Sequence, residues 1–235
     1  QGILYMPDGT TPVVAGTPLT PAEAATLVFV PATNFNGTVT IPFTVTDDDG
    51  AISVPANEVI TVNDVNDPPV ATPSTSSGDE DTPIAVDLTG TDVDGTVTAI
   101  TVTTLPPAAQ GILYMPDGTT PVVAGMPIPA AQAANLVFAP ALNFNGTVTI
   151  PFTVTDDDGA ISVPANEVIT VNDVNDPPVA TPSTSSGDED TPIAVDLTGT
   201  DVDGTVTAVT VTTLPPAAQG ILYMPDGTTP VVAGT

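Results

Sequence analysis

Thr147-Val148-Thr149-Ile150-Pro151-Phe152-Thr153-Val154-Thr155 alternates Thr or Pro with Val, Ile, Phe and Val. A period of two puts the four apolar side chains on one face and the others on the opposite face, the requirement for a half-buried antiparallel strand. Ile84-Ala85-Val86-Asp87-Leu88 has the same period, as does the run from Thr98 to Thr104 with Ile100 and Val102 inward. Further strands are predicted over 70–75, 112–115, 122–124, 136–139, 161–163 and 168–171. Turn pairs punctuate them: Asp94-Gly95, Asp117-Gly118, Asn145-Gly146 and Asp158-Gly159. About seven short strands in about a hundred residues predict an all-β Greek-key β-sandwich. One helical turn is expected at Thr20-Pro21-Ala22-Glu23, where the Thr caps, Pro takes the first helical position and Glu closes a capping box. Its counterpart from Pro129 to Gln132 has lost the capping residue.

The same strands recur. QGILYMPDGTTPVVAG stands at Gln1–Gly16, Gln110–Gly125 and Gln219–Gly234, a period of 109 residues, and a shift of 109 matches 116 of 126 paired positions. That period is domain-sized, so each copy is expected to own a core. The natural boundary is Asn63-Asp64-Val65-Asn66-Asp67-Pro68-Pro69, repeated from Asn172 to Pro178, because two prolines stop a strand and stiffen a connector. On this phasing residues 66–174 are one complete repeat, 1–65 the C-terminal part of a preceding repeat and 175–235 the N-terminal part of a following one. The reading expects a piece of a longer array, or subunits whose part-repeats complete one another end to end.

Composition removes most chemistry. The chain has 28 Asp and Glu and no Lys, Arg, His, Cys or Trp, a formal net charge of −28. Catalytic triads, Schiff-base lysines, arginine clamps on phosphate, zinc sites of His and Cys, disulfides and lysine isopeptide staples each lack a required residue. Nucleic acid and anionic membrane surfaces would repel such a chain, and no apolar run is long enough for a membrane span. Disorder is equally excluded: 41% of residues are apolar, and 28 Pro with 19 Gly make one residue in five, below the low-complexity range. A carboxylate pair acting as in a glycosidase would want an aromatic cleft, and six Phe and three Tyr do not encode one. No enzyme is expected.

The carboxylates are not evenly spread. The complete repeat holds 13, and ten fall in the linkers (Asp67, Asp173), in Asp79-Glu80-Asp81, in Asp92-Val93-Asp94 and in Asp156-Asp157-Asp158. In a seven-strand sandwich the loops carrying Asp92, Asp94 and Asp156–Asp158 return to the pole where the chain enters, facing the preceding repeat. Asp79–Asp81 lie at the other pole, facing Asp173, Asn175 and Asp176 of the next linker and Asp201 and Asp203 of the next copy. Like charges are thus gathered where neighbouring repeats touch, with no cationic side chain to balance them. A hard divalent cation taking oxygen ligands answers this, and Ca²⁺ fits a flexible set of Asp, Glu, Asn and backbone oxygens better than Mg²⁺. The expected ligands are Asp64, Asn66, Asp67, Glu80, Asp81, Asp92, Asp94, Asp156, Asp157, Asp158, Asp173, Asn175, Asp176, Asp201 and Asp203, whereas Asp87 and Glu167 are expected to face solvent.

These residues also resemble a family. Asp64-Val65-Asn66-Asp67-Pro68 is similar to the cadherin interdomain linker, Asp92-Val93-Asp94 to its DxD loop, and Glu80 stands where cadherins carry a base glutamate. The order DEDTP, TDVDG, NFNG, FTVTDDDG, VNDVNDPP resembles the cadherin-like and immunoglobulin-like tandem repeats of giant, RTX-type bacterial surface adhesins over the whole repeat. The cadherin DRE motif has no counterpart. The resemblance implies Ca²⁺ at the junctions and an extracellular, cell-surface extender in adhesion or biofilm attachment. Its partners would be neighbouring repeats of the same protein, or identical chains end to end in a filament. The Thr-x-Thr runs offer a glycan- or ice-binding face as an alternative, although Thr is at home on exposed strand positions. Asn36 and Asn145 head glycosylation sequons, but their place at a turn explains them without a sugar.

Overall fold

In the computed structural model, which describes residues 1–234, the strand quoted above runs from Gly146 to Asp156, and Val148, Ile150, Phe152 and Val154 are all buried. The elements in chain order are β1 (Gly2–Tyr5), α1 (Pro21–Ala24), β2 (Val28–Pro31), β3 (Gly37–Phe43), β4 (Ala56–Val62), β5 (Val70–Thr72), β6 (Ser74–Asp79), β7 (Ile84–Val86), β8 (Thr89–Thr91) and β9 (Val97–Val102). They continue with β10 (Gly111–Tyr114), β11 (Pro127–Pro129), α2 (Ala130–Ala133), β12 (Leu136–Pro140), β13 (Gly146–Asp156), β14 (Ala165–Asn172), β15 (Val179–Thr181) and β16 (Thr198–Thr200).

Between Val70 and Asn172 the strands form two layers. One is the five-stranded sheet β11-β9-β13-β14-β6, and the other combines the three-stranded sheet β10-β12-β7 with the ribbon β5-β8. Their inner faces meet in a single core: Val86, Leu113, Leu136 and Phe138 from one layer, and Ile100, Val102, Ile150, Phe152, Val154 and Ile169 from the other. Each such side chain removed from water stabilises the sandwich by about 1.5–3 kcal/mol. The architecture is an all-β sandwich.

Several sequence expectations change. The run 70–75 is two strands, because Pro73 has no N–H to give a ladder: β5 pairs antiparallel with β8, and β6 crosses to pair parallel with β14. Residues 122–124 and 161–163 are not strands. Only single bridges, Tyr114 to Pro121 and Thr155 to Ile161, hold these hairpins, and Ile161 and Val163 face solvent. Glu167 is the largest correction. Alternation along β14 puts it on the same face as Ile169 and Val171, so it is fully buried instead of exposed. Asp87 is exposed as expected.

The flanking segments keep only part of this pattern. β1 pairs with β2, β3 with β4 and β15 with β16, each in the register of its equivalent 109 residues away, and no further ladder joins them.

Candidate functional site

The entry pole of the sandwich is built from the linker before β5 and from the loops β8–β9 and β13–β14. Asn66 Nδ2 donates to Asp156 Oδ2 at 3.0 Å, and the backbone N–H of Asp67 donates to Asp94 Oδ2 at 2.8 Å. The connector is therefore bound to both acidic loops. The loops also hold each other, since Asp157 Oδ1 accepts from the Thr96 N–H at 2.7 Å. Gly95 lies between them so closely that a Cβ there would stand 2.5 Å from Asp157 Oδ1 and 2.8 Å from Asp92 Oδ2. Asp156 is buried, with Oδ1 accepting from the Ala160 N–H at 2.7 Å. The Asp158 side chain is exposed, and Asp64 accepts from Asn36 Nδ2 on the preceding segment.

The electrostatics of this pole divide in two. Asp156 is held below the usual carboxylate range, first by the Asn66 amide, and Asp157 likewise by the Thr96 N–H. Asp92 goes the other way: burial pushes its carboxyl up, and the adjacent Asp94 carboxylate adds to the effect. Both oxygens of Asp92 and Oδ1 of Asp94 are buried without a hydrogen-bond partner. Two abutting carboxylates with three unmet oxygens need either protons or a cation.

The exit pole repeats the theme with different residues. Glu80 is buried, and its Oε1 accepts from the Val174 N–H at 2.7 Å. Asp79 Oδ1 accepts from Asn172 Nδ2 at 3.2 Å. Asp81 Oδ1 accepts from the Asn143 N–H at 2.9 Å, and Asn143 Nδ2 donates to Asp176 Oδ2 at 2.8 Å, so this asparagine ties the sandwich to the next linker. Asp81 and Asn143 both adopt left-handed backbone, φ 57° and 54°, which for non-glycine residues is strained. Asp173 accepts from Asn145 Nδ2, and Asn175 Nδ2 donates to the carbonyl of Asp176 at 3.1 Å. The Asp176 N–H donates to Asp203 Oδ2 at 2.8 Å, the same bond as Asp67 to Asp94 one repeat on. Asp201 Oδ1 is again buried and unpartnered. The neighbouring Asp203 carboxylate, then burial, pushes its carboxyl up.

The predicted residues thus converge at the two poles, largely as pairs bridged by amides and backbone N–H groups. Among the described residues no three acidic side chains are gathered as a ready metal cage. Asn36, Asn143, Asn145 and Gly95 were not among the expected site residues; the signal for the asparagines was the recurrence of Asn-Phe-Asn-Gly opposite each linker. The fit to a cation is strongest at Asp92 and Asp94, where unmet carboxylate oxygens lie beside a bound linker. It supplies only part of the six to eight oxygens that Ca²⁺ takes.

Residues 66–170 match the family described as bacterial Ig domain. No curated protein matches the chain. Among solved structures, the fibronectin(III)-like modules of Clostridium thermocellum CbhA align over 72% of this chain and 76% of their own at 16% identity, with a TM-score of 0.25. Among the described residues no helix is long and apolar enough to cross a membrane. With the paired layers and single core, the family match makes residues 66–170 an immunoglobulin-like β-sandwich repeat.

Proposed function

We propose that this chain is a non-enzymatic spacer of tandem immunoglobulin-like repeats whose junctions are braced by Ca²⁺, serving an extracellular, surface-attached protein in adhesion. Residues 66–174 are taken as the repeating unit. The observation that carries the reading is the Asp92–Asp94 pair, with three buried oxygens unmet and the N–H of linker residue Asp67 bound to the same Asp94 carboxylate. A bound Ca²⁺ would supply charge neutralisation at oxygen ligands. This chain's own residues do the rest. Asp92 and Asp94 would hold the ion, with Asp157 and the side-chain oxygen of Asn66 as neighbours able to join. Asn66 and Asp67 fix the connector to the loops, and Pro68-Pro69 keeps it stiff. The ligand set at the next junction would be Asp176, Asp201 and Asp203, with Glu80, Asp81 and Asp173 approaching from the other side.

Small-angle scattering and thermal melting of the chain, in calcium and in EGTA, test this. The expected result is a stiffer particle with a higher melting temperature in calcium, and Asp92→Asn removes most of the difference. Identical scattering and melting in the two buffers would remove calcium from the reading. A calcium response untouched in Asp92→Asn would move the ion elsewhere.

A further inference from the structure

The flanking segments are the two complementary parts of one sandwich. Cut the complete repeat between Ala109 and Gln110, and its ladders fall into two classes. β10–β12, β13–β14 and β5–β8 join strands on the same side of the cut. β9–β13, β7–β12 and the parallel β6–β14 cross it, through pairs such as Phe152 with Val102, Phe138 with Ile84 and Glu167 with Ser74. In the flanks the first class is formed in unchanged register: Gly2 with Pro31, Gly37 with Val62, Val179 with Thr200. The second class is missing throughout. Residues 206–211 and 193–195, equivalents of β9 and β7, form no strand, and β3 pairs with β4 alone.

What is left uncovered is the inner face. Phe43 is 47% and Val45 62% exposed, while their equivalents Phe152 and Val154 are sealed. On the other segment Leu197 is 46% exposed against none for Leu88. Every residue needed to cover residues 1–65 is present in 175–218, and conversely, because those segments are the repeat's own two sides.

We propose that residues 1–65 of one copy dock on residues 175–218 of a second copy, forming the crossing ladders that each lacks and completing a sandwich between chains. The contact is heterologous: each chain offers one donor end and one acceptor end at opposite poles of its complete repeat. Association therefore does not close on a dimer but continues head to tail. The segment QGILYMPDGTTPVVAG is present at both ends, so either copy can take the place of β10 while the other stays outside.

The test uses the 235-residue chain and two substitutions outside the complete repeat, which leave its core intact. Light scattering in calcium buffer over rising concentration should show mass growing beyond 23.4 kDa in whole multiples. Phe43→Asp blocks one end and Leu197→Asp the other, so each variant alone should remain single. Their equimolar mixture should double in mass and stop, because it contains one good donor and one good acceptor. A constant 23.4 kDa for the unsubstituted chain would overturn the proposal. Growth that survives either substitution, or a mixture that stays single, would do so equally.

Discussion

Phe152 and Phe43 are the same residue of the same repeat, 109 positions apart, in runs of identical sequence from Asn34 to Asn66 at all but one pair, and one is sealed while the other is half in water. Their hairpins are alike, Phe152 facing Ala165 and Phe43 facing Ala56. Local sequence therefore suffices for strand, turn and register, and burial is supplied by strands remote in the chain. The difference can be broken by substitution. Phe152→Ala empties a packed site and should destabilise the sandwich by about 3–5 kcal/mol in denaturant unfolding, whereas Phe43→Ala should change the same transition by less than about 0.5 kcal/mol. Equal effects would mean that the flanking hairpin shares the core of the complete repeat.

Glu167 and Glu58 sharpen the comparison with a polar residue. Glu58 is exposed. Glu167 is fully buried in the equivalent position, accepting at Oε2 from Ser74 Oγ and leaving Oε1 without a partner. Ser74 Oγ also lies 3.1 Å from the Asp87 carbonyl, so it keeps a partner when the carboxyl is removed. Glu167→Leu, of similar volume and with no group to satisfy, should stabilise the repeat by about 1–3 kcal/mol. Glu58→Leu should leave unfolding unchanged. Destabilisation by Glu167→Leu would show that the carboxyl has a partner of its own in solution.

What the sequence made legible follows the same division. Period-two alternation identified the inward residues of β13, because each depends only on its neighbours along the strand. It could not report that β6 runs parallel to β14, since alternation carries no information on strand direction, and so Glu167 looked like a surface residue. Ile161 and Val163 misled for a related reason: β-branched residues promise a strand, but no edge remains for them to pair with. At the junctions the acidic loops could be assigned to poles from topology alone. The asparagine bridges could not, because Asn143 and Asn145 lie 33 and 28 residues from the aspartates they bind.

The turn Asp-Gly-Thr-Thr shows how local the local part is. Asp8, Asp117 and Asp226 each accept hydrogen bonds from the two threonines that follow, and the threonine hydroxyl and N–H groups hold all three carboxyls down to about 2. Burial plays no part, as the turn is the same inside the complete repeat and outside it. A carboxyl lower in the folded state than in the unfolded chain stabilises above the ordinary Asp value near about 4, and that contribution is lost as pH falls toward 2. Asp117→Ala should therefore lower the melting temperature at pH 6 and converge with the unsubstituted chain near pH 2. A difference constant across that range would assign the loss to backbone geometry and not to the ionised carboxylate.

The smallest test exploits one of the few positions where the copies differ. Around α1, Thr20 Oγ1 accepts from the Glu23 N–H at 3.3 Å and Glu23 Oε2 accepts from the Thr20 N–H at 2.8 Å, a closed capping box. Around α2 the equivalent residues are Pro129 and Gln132, and no side chain caps the helix. Yet α2 is the copy that lies against a core, with Ala133 buried and its carbonyl accepting from the Leu88 N–H at 3.1 Å. Packing there does the work that the cap does in α1, so the two devices should add where both are present. Pro129→Thr with Gln132→Glu should raise the melting temperature of the complete repeat by a few degrees. Thr20→Ala, which removes the cap from the segment without a core, should not move that transition at all. If the double substitution also leaves it unmoved, packing already fixes α2 fully, and the box at α1 matters only where a core is missing.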